Sequence, residues 1–159
     1  MAGGVAWSVL AGRMCRARHL PRANTEVLVE EWLIEALEVL NADLHGAPER
    51  MDEVLPLLRM ATLSAASEGL VAANERMVTL LRGDHTVKYV GTDSYVPLRL
   101  IDFDDPTSNT YVVSDEVTFG PPGHERRFDL VLWVNGLPLG GGRDEDAGER
   151  RYVMVERGP

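Results

Sequence analysis

The chain has 159 residues, one cysteine and a formal net charge of −9. This length is typical of a single domain, and one cysteine excludes both an intramolecular disulfide and a cysteine-based zinc site, as suits a reducing cytoplasm. An acidic body argues against nonspecific duplex binding by this chain alone, because neutralising phosphates requires clustered cations. No apolar run approaches transmembrane length, so we expect no membrane partner.

The first residues differ from the rest in charge. Residues 1–22 contain four arginines and no acid, a little like a transit peptide. The apolar piece Val5–Leu10 is short and no basic residue precedes it, which argues against a secretory signal. We expect residues 1–23 to be a disordered or non-homologous extension.

Helical periodicity begins after Asn24-Thr25, which can cap a helix, and His45-Gly46 should end it. Leucines mark its apolar stripe at steps of four, three and four: Leu33, Leu37, Leu40 and Leu44.

Two further helices are predicted. Pro48 should open the second, and Pro56 should kink or divide it because proline lacks an amide donor. The third should run from about Ser67 to Arg82, with Gly83 as its stop.

From His85 the period changes to that of strands. The predicted strands are Thr86–Val90, Tyr95–Phe103, and a third made of Thr110–Val113 and Val117–Phe119 with a bulge at Ser114–Glu116. Helices followed by a meander of strands imply an α+β or mixed α/β fold, with a helical N-terminal half and a mixed sheet after it.

The most informative stretch is Arg127–Leu139. Four consecutive apolar residues, Val131–Val134, are typical of a strand covered on both faces. Asn135-Gly136 fits a type I′ turn, in which both central residues need positive φ, and a second strand should follow. Asp129 stands just ahead of the apolar run, where a carboxylate needs a metal, a cation or backbone donors. It is either a metal ligand or a strand-end acid satisfied by neighbouring arginines or amides.

The segments Leu98–Val113 and Arg127–Leu139 together resemble the N-terminal nuclease domain of type I restriction enzyme R (restriction) subunits. That family carries a similar Ile-Asp-Phe strand, an Asn-containing loop, and a Val-Asn-Gly-Leu-Pro-Leu hairpin that continues into Glu-x-Lys, completing a PD-(D/E)xK site. The resemblance covers residues 24–139 and implies a restriction-endonuclease-like sheet.

The same resemblance implies a function. Asp129 would be the catalytic residue and a ligand of Mg²⁺, which activates water and stabilises charge on the scissile phosphate. DNA would be the substrate, and separate methylation and specificity subunits would be partners. ATP would be used only by the full-length family, since the chain has no phosphate-binding loop and therefore no ATP site.

The sequence departs from this family pattern after the hairpin. Arg143 stands where Glu is expected and Glu145 where Lys is expected, and Lys88 is the only lysine of the chain. Arginine is a poor substitute for that lysine. Three glycines followed by four charged residues are a poor strand sequence. We therefore expect homology to stop at Leu139, with residues 140–159 an unrelated, disordered tail of a truncated or frameshifted gene.

These departures predict a fragment of an endonuclease that has no activity alone. A noncatalytic protein-interaction module and an unstable gene remnant are the alternatives. The acids Asp102, Asp104 and Asp105 look superficially like a metal cluster, but we expect them to form a polar turn after a strand. The four histidines lack ligand spacing, and His45 and His124 are expected in loops.

Overall fold

A computed structural model of the chain describes residues 14–17, 19–63 and 70–142. The chain divides into two compact units: Met1–Leu33 with Asn109–Pro159, here called the sheet unit, and Ile34–Ser108, here called the helical unit. The architecture is α+β, as predicted.

Three α-helices lie in the described residues: α1 Glu30–Leu40, α2 Pro48–Leu63 and α3 Leu70–Leu81. A short 3-10 turn covers Pro106–Ser108. The strands are β1 Met14–Ala17, β2 Thr86–Val87, β3 Val96–Pro97, β4 Tyr111–Phe119, β5 Arg126–Val134 and β6 Leu137–Gly142. None of these helices is long and apolar enough to cross a bilayer.

Helix α1 is shorter than its leucine pattern predicts. It starts at Glu30 rather than after Thr25, because the Val29 amide donates to Gly136 O (2.9 Å) outside any helix. It ends at Leu40, and turns carry the chain to Gly46, whose φ is +66°. Periodicity therefore identified the apolar face but not the ends of this helix.

Helix α2 begins at Pro48, as predicted, and continues through Pro56 without division. The pyrrolidine ring is exposed, and the buried face of the helix is formed by other residues: Met51, Val54, Leu55, Leu58 and Ala61. Gly83 follows α3 with φ +75°, which confirms it as the helix stop. The start of the predicted third helix, residues 67–69, lies outside the described residues.

The strand predicted over Tyr95–Phe103 is mostly wrong. Only Val96 and Pro97 pair, with β2 in an antiparallel two-stranded sheet. Leu98, Leu100 and Ile101 are buried without strand pairing. The side chain of Asn41 replaces a strand partner here: its Oδ1 accepts from Arg99 N (2.8 Å) and its Nδ2 donates to Arg99 O (2.9 Å). The apolar pattern of this stretch thus indicated burial rather than a strand. The Asn41 side chain, and not a neighbouring strand, makes the backbone hydrogen bonds of Arg99.

The sheet unit is built on four strands in the order β1-β4-β5-β6. Strand β1 runs parallel to β4, while β4, β5 and β6 form an antiparallel meander. Strand β4 is continuous over nine residues, and its irregularity is Glu116, with φ 56°, inside the range Ser114–Glu116 where a bulge was predicted.

The burial pattern of both central strands shifts by one residue at that irregularity. On β4 the buried residues step by two from Val112 to Ser114 and then by three to Val117. On β5 the matching positions step by two from Trp133 to Val131 and then by three to Phe128. In a regular strand a step of three would move the following residues to the other face. Here Val117 and Phe128 pack in the same cluster as Val112, Val131 and Trp133, so the irregularity keeps one face of the sheet against the core.

The core of the sheet unit is one cluster around Trp133. Trp133 is 0% exposed and packs with Val29, Val112, Val117 and Val131. Trp32, Phe119 and Phe128 pack at its margin, with Trp32 and Trp133 edge to face at 6.4 Å. The start of α1 and the meander therefore bury one continuous apolar surface.

Two expected disordered segments contain described strands. Residues 14–17, inside the predicted extension 1–23, form β1. Gly140–Gly142, inside the predicted tail 140–159, complete β6 by pairing with Leu132, Val131 and Leu130. The glycines extend the strand because their backbone groups bond to β5 whether or not side chains are present. The remaining residues of that tail, 143–159, lie outside the described part.

Candidate functional site

The hairpin that joins β5 to β6 has the geometry predicted from its sequence. Asn135 has φ 54° and Gly136 has φ 79°, which are the two positive values of a type I′ turn. Both residues are buried, and Asn135 is 0% exposed. A turn at the end of a hairpin is normally a surface feature, so its burial makes this one part of the core.

A buried pair of asparagines holds this turn. Asn135 Nδ2 donates to Asn109 Oδ1 (2.9 Å), and Asn109 is also 0% exposed. Asn135 Oδ1 accepts from Thr110 N (2.8 Å), while Asn135 N donates to Thr110 O (2.9 Å). Sequence reasoning assigned Asn109 only to a polar loop. The two partners are 26 residues apart, so no local sequence pattern predicts their hydrogen bond. Both asparagines do lie in the motifs that carry the family resemblance.

Gly136 connects the same turn to the entrance of α1. Its carbonyl accepts from the Val29 amide, and a Cβ at this position would lie 2.4 Å from Val29 O and 2.9 Å from Leu33 N. Only glycine allows the two backbones to approach so closely. The Asn-Gly dipeptide thus forms the hairpin turn and also allows the close backbone contact with the start of α1.

Asp129, the one site residue singled out from the sequence, lies in β5 where the burial pattern shifts by one residue. Its side chain is exposed, as are its neighbours Arg127 and Leu130. The flanking pairs Asp115–Leu130 and Val117–Phe128 place Glu116 opposite Asp129 on β4. The Glu116 carboxylate accepts a hydrogen bond from the Arg127 guanidinium and forms an ion pair with it.

The other neighbour of Asp129 would come from β6. The last described pair of β5 and β6 joins Leu130 to Gly142. Asp129 is thus the first residue of β5 beyond these pairs, and residue 143 lies outside the described part of the chain.

A Mg²⁺ site at Asp129 would need further oxygen ligands beside it. Mg²⁺ is held by oxygen ligands, usually carboxylates, in near-octahedral geometry. Over residues 14–17, 19–63 and 70–142, no group of three His, Cys, Asp or Glu side chains is placed to hold a metal ion. Asp129 as a metal ligand and catalytic residue stays a prediction.

The other candidates from the sequence fall into structural roles. Asp102 Oδ1 accepts from the amides of Asp104 and Asp105 at 3.0 Å, so the predicted polar turn is confirmed, although no strand precedes it. His45 and His124 lie in exposed turns, as expected.

A half-buried cation, not anticipated from the sequence, lies beside the aromatic cluster. The Arg22 guanidinium stands 4.2 Å from the Phe119 ring centroid and donates to Thr118 O (2.7 Å) and Ala23 O (2.8 Å). Burial lowers the pKa of Arg22 from its ordinary value, and the nearby Glu26 opposes that shift. These contacts fix the chain before α1 against β4.

Comparison with known families gives one match. Residues 5–140 match the family described as type I restriction enzyme R protein N terminus. The chain belongs to this family. The matched range contains β1 and the whole meander up to Gly140, so it includes the Asn-Gly hairpin and Asp129. Comparison with curated proteins and with solved structures finds no match.

Membership explains why two distant asparagines and one glycine are buried together. The family resemblance was carried by the Asn-containing loop and the Val-Asn-Gly-Leu-Pro-Leu hairpin, and the structure joins these two motifs through the Asn109–Asn135 hydrogen bond. The motif residues of this R protein N terminus therefore maintain the sheet and its contact with α1.

Proposed function

We propose that this chain acts on DNA as the nuclease-type domain of the restriction subunit in a type I restriction–modification complex. The observation that carries the proposal is the family match over residues 5–140, which spans the strand with Asp129 and the hairpin after it. Methylation and specificity subunits are the expected partners, and the family's activity is ATP-dependent cleavage of unmodified DNA. Such a complex would act in the cytoplasm.

We also propose that the chain alone does not cleave DNA. A PD-(D/E)xK centre needs a second carboxylate and a lysine beside the aspartate. In the sequence Arg143 stands where the family pattern has the glutamate, and the only lysine, Lys88, precedes Asp129. Glu116, the acid opposite Asp129, is ion-paired with Arg127. The charged groups around Asp129 thus favour a cross-strand salt-bridge role over metal binding.

Incubation of the purified chain with supercoiled plasmid and Mg²⁺ tests this statement. We expect no nicking, and no difference between the wild type and Asp129→Ala. Glu145→Ala is a matched control that removes an acid in the sequence after β6. Nicking that depends on both Mg²⁺ and Asp129, and that survives Glu145→Ala, would refute the proposal of an inactive chain.

A noncatalytic role in the same complex is favoured by the poor fit of the Asp129 surroundings to a metal. Co-purification with methylation and specificity subunits tests that role separately from cleavage. We expect the wild type and Asp129→Ala to be retained equally by the partner subunits. A chain that is folded by circular dichroism but retained by neither subunit would contradict it.

A further inference from the structure

Helix α2 is apolar on two sides, although only one of them is buried. The buried side is formed by Met51, Val54, Leu55, Leu58 and Ala61. The other side is exposed and carries Pro48, Glu49, Asp52, Pro56, Arg59, Met60 and Leu63. Successive residues of a helix turn by about 100°, so these exposed positions fall within about 120° of the circumference and form one strip, here called the outer stripe.

The apolar residues of the outer stripe are exposed to an unusual degree. Met60 is 68% exposed and Leu63 is 63% exposed, and they follow the exposed Pro56 at helical steps of four and three. A surface helix normally carries polar residues on the face that points away from the core. An apolar strip that stays exposed in the single chain therefore indicates a surface that another protein covers.

The order of side chains along the outer stripe is complementary to itself. Asp52 and Arg59 lie at equal distances from the middle of α2, on opposite sides of it. Pro48 and Leu63 do so as well, and Pro56 lies next to the middle. When a second copy of the helix lies antiparallel to the first, each Asp52 faces the Arg59 of the other copy. Each Pro48 then faces a Leu63, and the two Pro56 rings meet at the centre.

We propose that two copies of this chain associate through the outer stripe of α2 as an antiparallel, two-fold symmetric pair. Two-fold association brings the same patch of both subunits together, so it requires a patch that is complementary to itself. The charges select the antiparallel orientation, because a parallel pair would place acid beside acid and base beside base. Arg59 also interacts within its own chain, and its five N–H donors allow a second acceptor.

The size of the outer stripe sets the strength of this association. Helix α2 has 16 residues and is therefore about 24 Å long, so one of its faces covers less area than a standard protein interface. We expect a weak dimer that forms between about 10 µM and about 1 mM protein. Light scattering of the full chain should show the mass rising from 17.6 kDa toward twice that value over this range. A chain that stays monomeric at about 1 mM would overturn the proposal.

Substitution of the apolar residues tests whether the outer stripe is the contact. The double variant Met60→Glu, Leu63→Glu should raise the dimer Kd about tenfold or more. Val39→Glu is the matched control, because it changes a 73% exposed apolar residue on α1 and should leave the Kd unchanged. Circular dichroism verifies that both variants are folded. Equal weakening by the control would overturn the assignment to α2, as would a monomeric wild type that binds a methylation or specificity subunit through Met60 and Leu63.

Charge reversal tests the two-fold arrangement itself. Asp52→Arg and Arg59→Asp should each weaken the association about tenfold, because each change places like charges opposite one another twice in the pair. A mixture of the two single variants should associate again, since each chain then supplies the charge that the other lacks. A mixture that stays monomeric, with both variants folded by circular dichroism, would overturn the antiparallel pair.

Discussion

Replacing Gly136 by alanine tests the claim that the buried hairpin turn sets the start of α1. The new Cβ would meet Val29 O at 2.4 Å and Leu33 N at 2.9 Å, so one of the two backbones must move. That movement would weaken the bond from Val29 N to Gly136 O. The residue also has φ +79°, which an alanine adopts only with strain.

The magnitude follows from three contributions. The left-handed conformation costs about 1–2 kcal/mol, overpacking about 1–3 kcal/mol and the weakened hydrogen bond about 1 kcal/mol. We expect Gly136→Ala to reduce the free energy of unfolding by about 4 kcal/mol, which lowers Tm by roughly 8–16 °C for a chain of this size. This is a large part of the stability of an ordinary domain.

Gly123→Ala is the matched control. Gly123 also has a positive φ, +85°, but a Cβ there would meet nothing within 4 Å. It should therefore show only the conformational cost of about 1–2 kcal/mol. Urea and thermal unfolding would be followed by tryptophan fluorescence, since Trp32 and Trp133 pack together in the same unit. Equal losses in the two variants would refute the reasoning from close backbone approach.

Three further predictions concern buried polar groups. Asn109→Ala should destabilise the chain by about 1–3 kcal/mol in urea unfolding, because Asn135 Nδ2 loses its partner, whereas the exposed Asn24→Ala should have little effect; equal effects would argue against the asparagine pair. Arg22→Lys should cost about 1–2 kcal/mol, since an ammonium cannot reproduce the guanidinium's bonds to Thr118 O and Ala23 O, and Arg82→Lys, at an exposed site, is its control. Burial raises the pKa of Tyr89, helped by Asp43 and Glu53 and opposed by Arg50. The stability that the neutral Tyr89 hydroxyl contributes is therefore present below pH 10.0 and is lost as the pH rises through the folded-state pKa. Tyr89→Phe should flatten the decline in Tm at alkaline pH, and an unchanged decline would contradict this.

Local chemistry was enough to predict some parts of the fold. The Asn135-Gly136 turn, the helix start at Pro48 and the helix stop at Gly83 all depend on residues whose own backbone preferences favour one conformation. The polar turn after Asp102 belongs to the same group, because its hydrogen bonds join residues two and three apart. Such elements need no information from the rest of the chain.

The surroundings of Asp129 could be predicted only in part. The sequence showed that Arg143 stands where the family pattern has a glutamate. It could not show that Glu116 lies opposite Asp129 and pairs with Arg127, because this requires the pairing of β4 with β5.

The sequence by itself thus determined the α+β class, the hairpin and the family, since each is encoded in short runs of residues. Tertiary structure decided where α1 begins, why Arg99 needs no strand partner, and where the burial pattern of the central strands shifts by one residue. In each of these cases a backbone group or side chain is satisfied by residues far away in sequence, such as Gly136 for Val29 and Asn41 for Arg99. Hydrogen bonds over such separations form only in the folded chain, so the conformational preferences of the individual residues do not predict them.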